Sequence, residues 1–218
     1  MKIKELFVSI QGEGPYIGYK QVFIRLCGCN LDCKYCDTDF EASNAKEYSL
    51  DELVEFVKQN SDCHSVSLTG GEPLLQKGFI KDFAKKSLLP LYLETNATLP
   101  DALKDVVDYV TYVSADIKLP SATGMKECWG LHDKFFEIAS KKILFAKVVF
   151  DSEVTEDEIK QICKLTSKYD IELVLQPMMN GKIPSVSSDF MLKVLDKALL
   201  EYKNVRLIPQ VHKFIDVI

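Results

Sequence analysis

Short apolar runs rich in Val, Ile, Phe and Tyr recur along the chain, at residues 21–27, 65–69, 91–95, 109–115, 143–150, 171–176 and 205–209. Each has the length of a strand buried on both faces. Between them lie segments with helical periodicity. Two of these carry clear start signals, Ser49 with Glu52 three residues on and Thr155 with Glu158, the pattern of a capping box. Residues 3–10 read as an extra strand ahead of the others.

Regular alternation of strand and helix predicts a parallel sheet with right-handed crossovers. The chain is short for a complete eight-unit barrel, so the expected fold is α/β, an incomplete TIM-type barrel of about six parallel βα units with an extra N-terminal strand. A flat doubly wound sheet is the competing arrangement, which periodicity does not separate. Both put functional loops at the carboxyl ends of strands. The motifs fall there: residues 28–39 after the first barrel strand, Gly70-Gly71-Glu72-Pro73 after the second, Asn96 after the third, and Gln176-Pro177-Met178-Met179 after the sixth. With no repeat beyond this rhythm and no linker-like tract, residues 1–218 are read as one domain.

Composition narrows the classes. The chain has 218 residues, 47% of them hydrophobic, and a formal charge of −5. That charge argues against a broad phosphate-binding surface, so nucleic acid is not an expected ligand. No apolar run approaches the ~20 residues that span a bilayer, and no signal core is seen, so a cytoplasmic protein without membrane attachment is expected. Seven cysteines then read as metal ligands, catalytic groups or buried thiols, because the cytosol keeps thiols reduced.

Three of those cysteines, Cys29, Cys33 and Cys36, stand in a Cys-x₃-Cys-x₂-Cys loop. Thiolates suit iron–sulfur clusters, which ordinarily take four of them; three would leave one iron open. A structural zinc site wants four closed ligands, and His64, His132 and His212 show no zinc-finger spacing to this loop. Accidental clustering of buried thiols fits poorly with a turn-rich segment. Cys27 should still lie on the strand, and Cys63, Cys128 and Cys163 read as small core residues. His64 and His132 read as structural or surface residues.

This spacing resembles the radical S-adenosylmethionine (SAM) superfamily, and Ser67-Leu68-Thr69-Gly70-Gly71-Glu72-Pro73 is similar to its second motif, whose backbone accommodates the methionyl amine. The resemblance implies a [4Fe–4S] cluster on Cys29, Cys33 and Cys36, with SAM on its open iron. It places Tyr35, Cys36, Asp37, Gly70, Gly71 and Glu72 beside the cofactor. More loosely it adds Ser114, Ala115 and Asp116 in Ser114-Ala115-Asp116-Ile117-Lys118, and Gln176, Pro177, Met178 and Met179 near adenine.

The stretch Gln11-Gly12-Glu13-Gly14-Pro15-Tyr16-Ile17-Gly18, with Val22-Phe23-Ile24-Arg25-Leu26 and the Cys36-Asp37-Thr38 tail, resembles the 7-carboxy-7-deazaguanine synthase family of queuosine and archaeosine biosynthesis. That family is a homodimeric, Mg²⁺-dependent lyase. It converts 6-carboxy-5,6,7,8-tetrahydropterin to the deazaguanine with loss of ammonia, drawing electrons from a flavodoxin or ferredoxin. The resemblance implies substrate contacts from Gln11, Gly12, Glu13, Arg25, Thr69, His212 and the carboxylate of Ile218, with Thr38 as the Mg²⁺ ligand. Chemically, Gln11 and Glu13 suit an amide-like pterin edge, and Arg25, one of two arginines, suits an anion. A surface or inter-strand salt bridge is the alternative role for Arg25, and loop capping the alternative for Asp37 and Thr38.

Two other functions compete. An activase that makes a glycyl radical on a partner protein, such as an anaerobic ribonucleotide reductase, calls for a docking domain or further cysteines, and neither is seen. A non-catalytic metal module leaves the two glycine-rich motifs without a role.

Overall fold

The structure, a computed structural model, describes residues 1–36 and 41–217. Its strands are β1 (Lys2–Ile10), β2 (Lys20–Leu26), β3 (Lys46–Glu47), β4 (Ser65–Gly70), β5 (Leu91–Thr95), β6 (Tyr112–Ile117), β7 (Ile143–Phe150), β8 (Glu172–Pro177), the short pair β9 (Met179–Asn180) and β10 (Ile183–Pro184), and β11 (Val205–Leu207). Its helices are α1 (Leu50–Gln59), α2 (Lys77–Ala84), α3 (Pro100–Val106), α4 (Pro120–Thr123), α5 (Trp129–Ala139), α6 (Glu156–Lys168), α7 (Ser188–Glu201) and α8 (Val211–Ile215). Both expected capping boxes form, at Ser49 and Thr155.

Among the described residues, one sheet runs in the order β11-β8-β7-β6-β5-β4-β2-β1-β3. From β2 through β11 every pairing is parallel, and each strand lies beside its predecessor in the barrel. A doubly wound sheet reverses direction midway; this one never does, so it is the partial barrel. The N-terminal strand joins antiparallel to β2, with Phe7 opposite Phe23. The strands expected at 91–95 and 143–150 match their observed bounds. The one expected at 109–115 shifts to Tyr112–Ile117, because Val107–Tyr109 closes a 3₁₀ turn after α3.

The strands are buried on both faces, as expected, but the two faces differ in character. Val22, Ile24 and Leu26, Val66 and Leu68, Leu91 and Leu93, Ala146, Val148 and Phe150 pack with Leu53, Phe83, Phe135 and Ile162 of the helices. The alternate positions face the lumen, and there the character changes with height. Its floor is Tyr92, Phe145 and Val174, covered by Tyr16, Tyr112 and Ile208; its upper part carries Arg25, Thr69, Glu94, Ser114, Asp116, Lys147 and Gln176. Tyr16 plugs the floor with its ring 4.9 Å from that of Tyr112 and 5.7 Å from that of Tyr92.

Cys63 and Cys163 are buried, as read from the sequence, but Cys128 is only half-buried and not a core residue; Cys27 is buried too, yet it lies in the bend just past β2, which ends at Leu26, rather than on the strand. Cys128 sits in the turn that leads from Gly124, which has φ +73°, into α5. Among the described residues no helix is long and apolar enough to cross a membrane.

His132 on α5 is fully buried, and among the described residues neither ring nitrogen has a well-formed hydrogen bond. Burial pushes its pKa from 6.5 to about 4, the Ala97 backbone only partly opposing. The unfolded chain therefore binds a proton that the fold excludes, and stability falls as pH drops from about 6.5 towards 4. A His132→Leu variant should escape this loss. The stability difference between variant and parent, from urea melts at a series of pH values, is expected to shift in the variant's favour by up to about 3 kcal/mol across that window. A difference independent of pH would disprove it.

Candidate active site

At the carboxyl ends of the strands lies a cavity of about 830 Å³, lined by residues from both chain ends and from most strand ends. Cys29, Cys33 and Cys36 all line it. Their loop leaves β2 at Gly28, which has φ +86°, and is tied down by its neighbours. The Lys34 N–H donates to the Thr123 carbonyl at 3.1 Å. Asn30 accepts from Asn96 Nδ2 at 2.9 Å and donates to Thr98 Oγ1 at 2.9 Å.

The loop after β4 is seated directly on the cysteine loop. A Cβ at Gly71 would lie 1.9 Å from the Gly28 carbonyl oxygen, and one at Gly70, with φ +129°, would lie 2.2 Å from that of Leu26. The absence of side chains lets the Glu72 N–H reach the Gly28 carbonyl at 2.8 Å. Glu72 itself, read as a cofactor contact, is fully buried and outside the cavity lining. Its carboxylate accepts from Leu74 N–H at 3.0 Å, Thr95 Oγ1 at 2.8 Å and Asn96 N–H at 2.8 Å. Burial pushes its pKa up to about 7 in spite of those donors.

The donor set suits an iron–sulfur cluster: three soft thiols on one wall of a cavity, with the Leu31 N–H directed at Cys29 Sγ at 3.4 Å. Cys33 Sγ lies 3.9 Å from Met125 Sδ, an apolar cover. Among the described residues no three His, Cys, Asp or Glu side chains gather around a single ion position. Burial pushes Cys33 up to about 11, and an incoming metal must displace that proton.

Opposite the thiols stands the Gln11-Gly12-Glu13 segment. Gln11 Nε2 donates to Gln21 Oε1 at 3.1 Å and Glu94 Oε1 at 2.9 Å, while its Oε1 accepts from the Glu13 N–H at 3.0 Å. Glu13 is ion-paired with Lys147 and accepts from Gln210 Nε2 at 2.5 Å. Burial alone would raise its pKa, but Lys147 and Gln210 hold it down at about 2. Burial opposes the charge on Lys147 as well, and Glu13, Asp116 and Glu94 together raise its pKa well above the usual lysine range.

Other sequence-derived residues divide clearly. Tyr35, Thr69, Ser114, Asp116, Gln176, Met178 and Met179 line the cavity; Ala115 and Pro177 do not, being packed behind it. Among the described residues, Asp116 Oδ1 and Gln176 Oε1 are buried without a hydrogen-bond partner. Arg25 lines the cavity, with its Nε 2.6 Å from Glu5 Oε2 and its guanidinium 6.0 Å above the Phe7 ring, so the inter-strand salt bridge is formed. The C-terminal helix packs on the Gln11–Glu13 segment: Val211 N–H donates to the Gly12 carbonyl at 2.8 Å, and His212 packs so tightly on Gly12 that a Cβ there would meet Nδ1 at 2.2 Å. Asp37, Thr38 and Ile218 lie outside the described residues.

Two site residues escaped the sequence reading, Glu94 and Lys147. Both had a signal, a lone charge inside an otherwise apolar strand, Leu-Tyr-Leu-Glu-Thr and Ile-Leu-Phe-Ala-Lys-Val-Val-Phe. Glu94 accepts from Ser67 Oγ at 2.6 Å as well as from Gln11.

Residues 23–181 match the model of the Radical SAM superfamily. The chain is 36% identical to a 7-carboxy-7-deazaguanine synthase of Archaeoglobus fulgidus, over 98% of this chain and 97% of the relative. It is 35% identical to the one of Geobacter sulfurreducens, over 98% and 96%. The crystal structure of QueE from Escherichia coli superposes with a TM-score of 0.66 at 21% identity, over 97% of this chain and 94% of that one, a likeness of fold.

The close seating of the two loops is open to test. Gly71→Ala must push the second loop off the Gly28 carbonyl. It is expected to cost about 3 kcal/mol in a urea melt and to leave the protein unable to retain iron and sulfide after anaerobic reconstitution. Parental iron content in this variant would contradict the geometry.

Proposed function

The chain belongs to the radical SAM superfamily and, within it, to the 7-carboxy-7-deazaguanine synthases, and we propose from that membership that its cavity converts 6-carboxy-5,6,7,8-tetrahydropterin to 7-carboxy-7-deazaguanine with loss of ammonia. The observation that carries the reading is the meeting, in one cavity, of the three thiols with Gln11, Glu13, Arg25 and His212.

Cys29, Cys33 and Cys36 would hold the [4Fe–4S] cluster. When bound, the cluster and SAM supply the radical chemistry, and the protein supplies orientation, charge and exclusion of water. Gly70 and Gly71 would leave backbone for the methionyl end of SAM. Asp116 Oδ1 and Gln176 Oε1, buried acceptors without donors among the described residues, would take hydroxyl and amino hydrogens from its nucleoside end. Glu13, kept ionised by Lys147, would accept from the amide-like edge of the pterin, with Gln11, Gly12 and Thr69 beside it. Arg25 would exchange Glu5 for the substrate carboxylate, and His212 would close over it with the Ile218 carboxylate. Mg²⁺ is assigned to Thr38 with substrate and water oxygens completing its shell. The same reading makes residues 1–218 one functional core, a cytoplasmic homodimer reduced by a flavodoxin or ferredoxin, its product entering a queuosine-type pathway. No observation favours the activase alternative.

The test is anaerobic reconstitution with iron and sulfide, then incubation with reductant, SAM, Mg²⁺ and carboxytetrahydropterin, read by mass spectrometry for the deazaguanine. Cleavage of SAM without that product would remove the substrate assignment and leave the superfamily intact. Cys33→Ala should abolish both the cluster's visible absorbance and turnover; full cluster loading in that variant would remove Cys33 from the ligand set.

A further inference from the structure

Across the cavity runs a chain of alternating charges. It starts on the cysteine loop, where Tyr35 OH accepts from Lys118 Nζ at 3.0 Å. Lys118 lies 2.9 Å from Asp116 Oδ2, the same oxygen lies 3.5 Å from Lys147 Nζ, and Lys147 is ion-paired with Glu13. Glu13 then accepts from Gln210, near the start of the tail that covers the cavity. The register makes the centre of this chain unavoidable, because Asp116 on β6 and Lys147 on β7 are direct neighbours on the lumen face.

We propose that Lys147 is a positioning residue that couples the two halves of the cavity, so that SAM and the pterin each bind more tightly when the other is present. The inference rests on the function proposed above. Lys147 has one close carboxylate, Glu13, and one slack one, Asp116, and its side chain is 9% exposed. Asp116 has a second oxygen, Oδ1, that is buried and without a hydrogen-bond partner among the described residues, and the function proposed above gives it to the cofactor. A hydroxyl of SAM donating to Oδ1 draws on the charge of Asp116 and weakens its hold on Lys147. The ammonium is then committed to Glu13, whose carboxylate becomes fixed for the pterin. The effect is reciprocal by linkage.

The experiment is calorimetric titration of carboxytetrahydropterin into anaerobically reconstituted enzyme, with and without saturating SAM and with no reductant, so that no chemistry occurs. In the parent, SAM is expected to tighten pterin binding roughly tenfold. In Lys147→Met that ratio should fall to near one while iron content stays at the parental level, and Lys147→Arg should restore part of it. Lys147→Gln, which keeps polarity and length without charge, serves where the Met variant fails to fold, with the same expected ratio. A parental ratio of one, or uncharged variants that keep the parental ratio, would overturn the coupling while leaving the enzyme's activity assignment standing. A parent that binds no pterin even with cluster and SAM in place would take down the proposed function and this inference with it.

Discussion

The Glu72 carboxylate accepts from the Leu74 and Asn96 backbones and from the Thr95 hydroxyl at once, and the rest of the barrel mouth is assembled on that clasp. It fixes the loop after β4 to the end of β5. Asn96, held by the clasp, reaches on to Asn30 in the cysteine loop, while the Glu72 N–H takes the Gly28 carbonyl from the other side. Burying a carboxylate without partners would cost several kcal/mol; here three donors satisfy it, and the result is that three separate strand ends share one geometry. The glycines at 70 and 71 are what allow the backbones to come that close. Remove the clasp and the thiols lose their common wall.

The lumen meets a second constraint, the placing of charge in a narrow space. Lys118, Lys147, Glu13, Glu94 and Asp116 line one cavity, and each buried cation has a carboxylate in reach. Below them lies the packed aromatic floor. Low polarity beneath and paired charge above strengthen every electrostatic contact that a ligand makes between them.

Most of the fold was legible because the βα rhythm and the capping boxes act locally. The choice between a barrel and a flat sheet was not, since it depends on which strand lies beside which. The cysteine loop and the Gly-Gly-Glu-Pro turn could be read because their spacing is contiguous in the chain. Glu94 and Lys147 were missed because their partners, Gln11 and Glu13, lie 83 and 134 residues away in sequence, beyond any local pattern. The partners of the Glu72 carboxylate were out of reach for a related reason: the motif named the residue, but only the neighbouring strand end determined where that carboxylate points. Arg25 met Glu5 through strand pairing, which the register explains.

The segment Gly14–Tyr16 is anchored in the aromatic floor, with Gly14 against Phe145 and Tyr16 among the tyrosines. It carries the Gln11–Glu13 arm, and that arm bonds to the tail rather than to the cysteine loop. The parts that would make a radical and the parts that would choose its target are therefore hung from different places. Descent can then revise the two ends of such a chain, arm and tail together, and arrive at a new substrate with the thiol wall left as it was.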